Sequence, residues 1–144
     1  ILVALIMVAL IPQELGAIEM QKGLKIQDVF RKYGKQKNVT MVEMSKEMLD
    51  AYNISFYRSI TIKQDSKALS FVRECLQADQ KDARKIKETT SGGQLTSAYY
   101  ELPGKKPEEN RFILFKVNKK GVITLVYIEG ELDSEDLITL LFEK

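Results

Sequence analysis

Between Arg111 and Glu129 the chain reads RFILFKVNKKGVITLVYIE, two β-rich segments joined by Asn118-Lys119-Lys120-Gly121. Nearly every position outside the turn is apolar. A hairpin with one wet side alternates apolar and polar residues, so this one has to be covered or occupied on both faces. Gly121 stands fourth in the turn, which fits a type I turn closed by a G1 bulge with positive φ. With Val117 facing Val122, one face carries Ile113, Phe115, Val117, Val122, Val126 and Ile128. The opposite face then carries Phe112, Leu114, Ile123, Leu125 and Tyr127, with Lys116 among them. This second set is the candidate binding face, meeting a ligand, another chain or a second copy. The alternative is a hairpin enclosed by helices on both sides.

The rest of the chain supplies those helices and further strands. From Leu24 to Tyr33 the apolar residues Ile26, Val29, Phe30 and Tyr33 recur at three- and four-residue steps, an amphipathic helix closed by Gly34. Residues 38–44 are rich in β-branched side chains and read as a strand, and Ser45 caps a short helix over residues 46–52. A second strand spans residues 56–63. Asp65 or Ser66 caps a longer helix to about Ala78, with Leu69, Val72, Cys75 and Leu76 inward. Residues 79–87 are highly charged and read as helical and solvated, broken by Ser91-Gly92-Gly93. A meander of three strands follows at 94–102, 111–117 and 122–129. Asp133 or Ser134 then caps a final helix over residues 135–142. The expected fold is one α+β domain over residues 18–144, an antiparallel sheet of about five strands with helices packed on it.

Residues 1–11, ILVALIMVALI, contain no polar side chain and are followed by Pro12-Gln13-Glu14-Leu15-Gly16-Ala17. As a helix they span roughly 16 Å, about half of a bilayer's hydrocarbon core. The pattern is that of a signal peptide's apolar region and cleavage region. Residues 1–17 are therefore expected to be a signal peptide lacking its start, cut after Ala17 to leave a periplasmic or extracellular protein without membrane insertion. The competing reading is a retained first helix or strand, which would need complete burial. Leu15-Gly16-Ala17-Ile18 has the form of a lipoprotein box with Ile18 where the lipid-bearing Cys would stand.

The absence of histidine excludes Ser-His and Cys-His catalysis and His-ligated zinc. No Ser-x-x-Lys occurs either. Cys75 is the only cysteine, so no internal disulfide can form, and a lone thiol in an exported protein is expected to be buried. Loss of residues 1–17 takes only Glu14 from 22 basic and 20 acidic residues, too even a balance for a nucleic-acid binder. Met41, Met44 and Met48 offer three thioethers that could hold Cu(I), but their spacing crosses a strand-to-helix junction and favours core packing. The carboxylates between Glu129 and Asp136 lack the spacing of a calcium loop and suit a helix N-terminus. Lys105-Lys106 and Lys119-Lys120 fall in loops at opposite ends of the sheet. Tyr99 and Tyr100 point to opposite faces of one strand, one toward the core. No cofactor is called for.

Three stretches together resemble a known group: Val29-Phe30-Arg31-Lys32-Tyr33-Gly34, then residues 39–48 (VTMVEMSKEM), and Tyr127-Ile128-Glu129-Gly130-Glu131-Leu132. They are similar to small exported proteins of Bacteroides-type gut bacteria, grouped as domains of unknown function. The resemblance implies an exported α+β domain and supplies no catalytic residues. The expected function is that of a non-enzymatic cell-envelope protein, binding a protein partner or itself through the apolar sheet face. The alternative is a small-molecule or lipid-binding module with a pocket between sheet and helices. An enzyme built on carboxylates or tyrosine ranks third.

Overall fold

A computed structural model describes residues 23–137. The expected signal peptide and all but the start of the final helix lie outside these residues. Helix α1, Ile26–Tyr33, buries Ile26, Val29, Phe30 and Tyr33, the stripe its sequence spacing provides. Gly34 ends it in a right-handed conformation, φ −60°, so a left-handed cap is not what the glycine supplies. A Cβ there would lie 2.8 Å from Met41 Sδ and 2.5 Å from the Phe30 carbonyl oxygen. Its smallness lets strand β1, Val39–Glu43, close against the helix end. Helix α2, Lys46–Ala51, starts at Ser45, whose hydroxyl accepts the Met48 N–H at 3.3 Å. Strand β2, Ile54–Ile62, leads to helix α3, Ser66–Asp79, where the Asp65 carboxylate accepts the Ala68 N–H at 3.0 Å.

Four more strands follow: β3, Lys85–Ser91; β4, Gln94–Pro103; β5, Asn110–Val117; and β6, Ile123–Gly130. The strands form one antiparallel sheet in the order β1-β2-β6-β5-β4-β3. Helix α3 carries the chain from β2 to the far edge, and the meander β3 to β6 returns to pair with β2. The fold is α+β, as its sequence pattern implies.

The main core lies between α1, α3 and one face of the sheet. Val29, Val72 and Leu76 pack there with Ile60, Ile62, Tyr100, Ile113, Leu125 and Tyr127. Cys75 is buried in it, and burial pushes its thiol up to about 11, with the Asp79 carboxylate adding to the effect. Asp79, the last residue of α3, ties the two helices together. Its carboxylate accepts the Lys25 N–H at 2.7 Å and the Ile26 N–H at 2.9 Å, satisfying two donors at the start of α1. Burial raises the Asp79 carboxyl above the ordinary range, while these two hydrogen bonds pull it down.

Two expectations need correcting. Residues 79–87 are not a charged helix. After Asp79 comes a short 3₁₀ turn, Gln80–Asp82, and then β3, making a sixth strand. All seven β3 residues are exposed, so no apolar alternation marks the strand, and pairing with β4 alone defines it. Gly92 and Gly93 form its hairpin tip, with φ of +60° and +79°, in a two-residue turn that only glycine adopts cheaply.

The second correction concerns register. Gly121 has φ +83°, as the turn requires, but Val117 pairs with Ile123 rather than with Val122. The Gly121 N–H donates to the Asn118 carbonyl at 3.0 Å, and the Asn118 N–H donates to the Val122 carbonyl at 3.1 Å. The Asn118 side chain also accepts the Lys120 and Val122 N–H groups, each at 2.9 Å. Val122 thus belongs to the turn, and every side chain of β6 exchanges faces relative to the expected pairing.

Candidate functional site

The corrected register divides the six expected binding residues. Ile123, Leu125 and Tyr127 lie on the helix-covered face and are fully buried in the main core. Phe112, Leu114 and Lys116 lie on the second face, where Thr124, Val126 and Ile128 are their β6 partners. The expected set therefore never meets at one surface.

The second face reads as rows across the sheet. One row is Lys85, Glu101, Phe112, Ile128 and Tyr57. It is closed over by Leu132 and Leu137, which cluster with Phe112, Ile128 and Ile54. Asp133 starts the helical turn bearing Leu137, accepting the Asp136 N–H at 2.8 Å. The next row is Lys87, Tyr99, Leu114, Val126, Ser59 and Val42. The third is Thr89, Ser97, Lys116, Thr124, Thr61 and Thr40, polar throughout. The first two rows thus carry apolar side chains on β5 and β6, and the third carries none there.

Over β3, β4, β5 and β6 these rows floor an open groove of about 1000 Å³. Tyr99, Leu114, Val126 and Leu137 form its apolar part, and Lys85, Lys87 and Lys116 line it with Ser97, Thr124 and Ser134. A groove of this size lies at the upper end of small-molecule sites. The Tyr99 ring stacks on Phe112, centroids 6.3 Å apart. Burial pushes its phenol up to about 12, the Glu101 carboxylate reinforcing this and Ser134 opposing it. Its partner in sequence, Tyr100, faces the core and donates to Glu88 at 2.6 Å, as strand alternation demands.

At one end of the groove Lys85 Nζ lies 3.2 Å from Ser134 Oγ. Such a pair resembles a serine-lysine dyad, which needs a neutral amine to take the hydroxyl proton. Here the Lys85 side chain is 58% exposed and 3.8 Å from the Glu101 carboxylate. Lys85 donates to the Ser134 hydroxyl and pairs with Glu101, contacts that tie β3 to the chain's return across the sheet. Glu101 is itself buried, with Arg84 Nη2 3.3 Å from its other oxygen.

The other candidates disperse. Met41 packs against the main core, Met44 against the second cluster, and Met48 is exposed, so their sulfurs do not share a site. In the acidic stretch, Glu129 is buried and accepts from the Tyr127 hydroxyl at 2.7 Å, while Asp133 caps a helical turn. Burial, with Glu129 beside it, drives the Tyr127 phenol far above its ordinary range. Among the described residues no group of three or more His, Cys, Asp or Glu is placed to hold a metal ion. No helix of the described residues is long and apolar enough to cross a membrane.

Sequence reasoning missed Lys85, Lys87 and Ser134. The two lysines sit on the strand that was expected to be helical. Ser134 was visible only as a possible cap, and the chain's return across the sheet is what brings it to Lys85.

The chain belongs to DUF6108, a family of unknown function, whose sequence model matches residues 15–141. No curated protein and no solved structure matches it.

Proposed function

We propose that this member of the family is a non-enzymatic binding module that holds an amphiphilic small molecule in the groove on the second sheet face. The groove itself carries the reading: about 1000 Å³, with Tyr99, Leu114, Val126 and Leu137 as its apolar floor and lysines and hydroxyls around it. A concavity with an apolar floor and few convergent polar groups suits a ligand better than a flat protein interface. The engagement of Lys85 by both Glu101 and Ser134 supports binding without chemistry. Export belongs to the same proposal. The apolar run 1–11 supports it, and the family match starts beyond that run, at residue 15. An exported protein of the kind found in Bacteroides-type bacteria would meet lipids and their fragments in the envelope.

Native mass spectrometry of the gently isolated full chain tests this. The expected result is an added mass of a few hundred daltons that Leu114→Lys abolishes while the protein stays folded. An adduct that survives Leu114→Lys would place the ligand elsewhere. A chain that carries no adduct and takes up no offered amphiphile would end the reading.

A second reading has its own observation. Val42, Met48 and Tyr52, on β1, on α2 and just after it, are 48%, 45% and 43% exposed, large apolar side chains left in solvent. They support docking of a protein partner or a second copy. A dimer or a co-purifying chain that Val42→Lys disrupts would favour this interaction reading.

A further inference from the structure

The groove's polarity also points to what its ligand must carry. Around the Lys116 row the donors are unspent. Lys87 and Lys116 form no ion pair, and the Ser97 and Thr124 hydroxyls make no hydrogen bond, with any described residue. The carboxylates nearby are already engaged. Glu88, which also borders the groove, accepts from Tyr100 at 2.6 Å and from Gln80 at 2.7 Å. Glu101 is taken by Arg84 and Lys85 beneath the closed end. Cations without counter-charges thus border an apolar floor, an arrangement complementary to a negative group and unfavourable for a positive one.

The register sets the geometry. Lys87 and Lys116 stand two strands and one row apart, with Ser97 paired to Lys116 and Tyr99 paired to Lys87 between them. Sheet spacing puts their Cα atoms about 12 Å apart, a distance that two four-carbon stems can close around one anion. One row further along the strands begins the floor of Leu114 and Val126, running on to Leu137.

Resting on the groove reading above, we infer that the ligand is an apolar chain ending in a compact anionic oxygen group. The head lies between Lys87 and Lys116, within reach of the Ser97 and Thr124 hydroxyls. The chain runs over Leu114 and Val126 toward Leu137. Lys85, held by Glu101 and Ser134, closes the far end and takes no part in head-group binding.

The test uses the full chain and two probes of equal chain length, tetradecanoate and tetradecanol, titrated calorimetrically at low salt. Tetradecanoate is expected to bind about tenfold tighter, the scale of one or two charge-assisted hydrogen bonds at a partly wet site. That advantage should shrink at high salt. It should vanish in Lys87→Gln/Lys116→Gln, with tetradecanol affinity unchanged. Both lysines are exposed, and a thermal melt verifies that the double variant is folded. Equal affinity for the two probes, in both proteins, would overturn the head-group assignment and leave the groove reading standing. Tighter binding of tetradecyltrimethylammonium than of tetradecanol would likewise overturn it. Saturable binding of neither chain, or tetradecanoate binding that survives Leu114→Lys, would overturn the groove reading itself. Binding of inorganic phosphate alone, equal to that of tetradecanoate, would mean that the lysines form a free-anion site and would overturn the chain's role.

Discussion

On one face of the sheet Ile113, Leu125 and Tyr127 lie at zero exposure in a cluster with Val72 and Leu76 of α3. On the other, their immediate strand neighbours Leu114 and Val126 stay half-buried, and Lys116 is exposed. The strands are the same and the apolar content similar. The difference is what lies above: two amphipathic helices on one side, and on the other a short helix and a chain return that close only one end. Each large side chain fully buried contributes roughly 1.5–3 kcal/mol, so the covered face carries most of the fold's stability. The open face keeps apolar surface that folding has not used and a ligand can still bury.

The sharpest way to break this comparison is the same substitution on both faces. Leu125→Lys places an ammonium in the closed core and is expected to abolish folding, read as loss of a cooperative thermal transition. Leu114→Lys, one strand away and on the other face, should leave a folded protein with a modestly lowered Tm. With milder changes, Leu125→Ala should cost about 2–5 kcal/mol and Leu114→Ala about 1 kcal/mol in denaturant unfolding. Equal costs would mean that the second face is core as well, and the groove would lose its meaning as a site.

Much of this contrast could be read from the sequence, and the part that could not has a physical cause. The α1 stripe, the Asp65 and Ser45 caps, the burial of Cys75 and the Gly121 turn follow from local spacing and side-chain chemistry. The two-sided apolar pattern of β5 and β6 did announce a sheet with both faces engaged. The assignment of residues to faces depended on one residue, Val122, held in the turn by the Asn118 side chain. Because strand side chains alternate, that single step misplaced Ile123, Leu125 and Tyr127 together. The strand β3 gave no signal because an edge strand exposed on both faces needs no apolar periodicity. Its two lysines, at a sheet edge where charge also discourages edge-to-edge pairing, were thereby lost from the expected site.

The covered face depends on α1 being pinned to α3, which makes Asp79 the next test. Asp79→Ala frees the Lys25 and Ile26 N–H groups and is expected to cost about 2 kcal/mol. Asp79→Asn keeps one acceptor and should cost less. The pH dependence separates charge from hydrogen bonding. Burial holds the folded Asp79 carboxyl above its unfolded value of 3.8, so between the two values the folded state binds the extra proton. Stability therefore gains from this group as pH falls into that window and declines as pH rises through it. Asp79→Asn should remove that part of the slope in a pH series of denaturant melts. An unchanged slope would show that Asp79 is not the group responsible.

A smaller effect is expected at the hinge between the faces. Gly121→Ala forces a left-handed conformation on an L side chain, and the added Cβ would meet Gln64 Cγ at 3.1 Å. The expected cost is about 1–2 kcal/mol. A compensating one-residue slip of β6 would exchange its faces and expose Leu125, so the chain should keep its register and accept the strain. Cross-strand amide contacts between Val117 and Ile123 in an NMR spectrum of the variant report this directly. Their replacement by contacts between Val117 and Val122 would mean that the turn, and not the burial of Leu125 and Tyr127, sets the register.

The smallest effect belongs to β3, the strand that contributes to the groove without contributing to the core. Lys87→Gln and Ile86→Ser change exposed side chains on an edge strand, and each is expected to shift stability by no more than about 0.5 kcal/mol. Their consequences for binding should differ. Lys87 pairs with Tyr99 on the groove face, whereas Ile86 pairs with the core-facing Tyr100 and borders the groove from the β3 edge. Lys87→Gln should weaken tetradecanoate binding and Ile86→Ser should not, although the two positions are adjacent in sequence and nearly equal in stability cost. Equal loss at both positions would mean that the ligand follows the free edge of β3 and not its inward face. The distinction between the two faces would then end at β4.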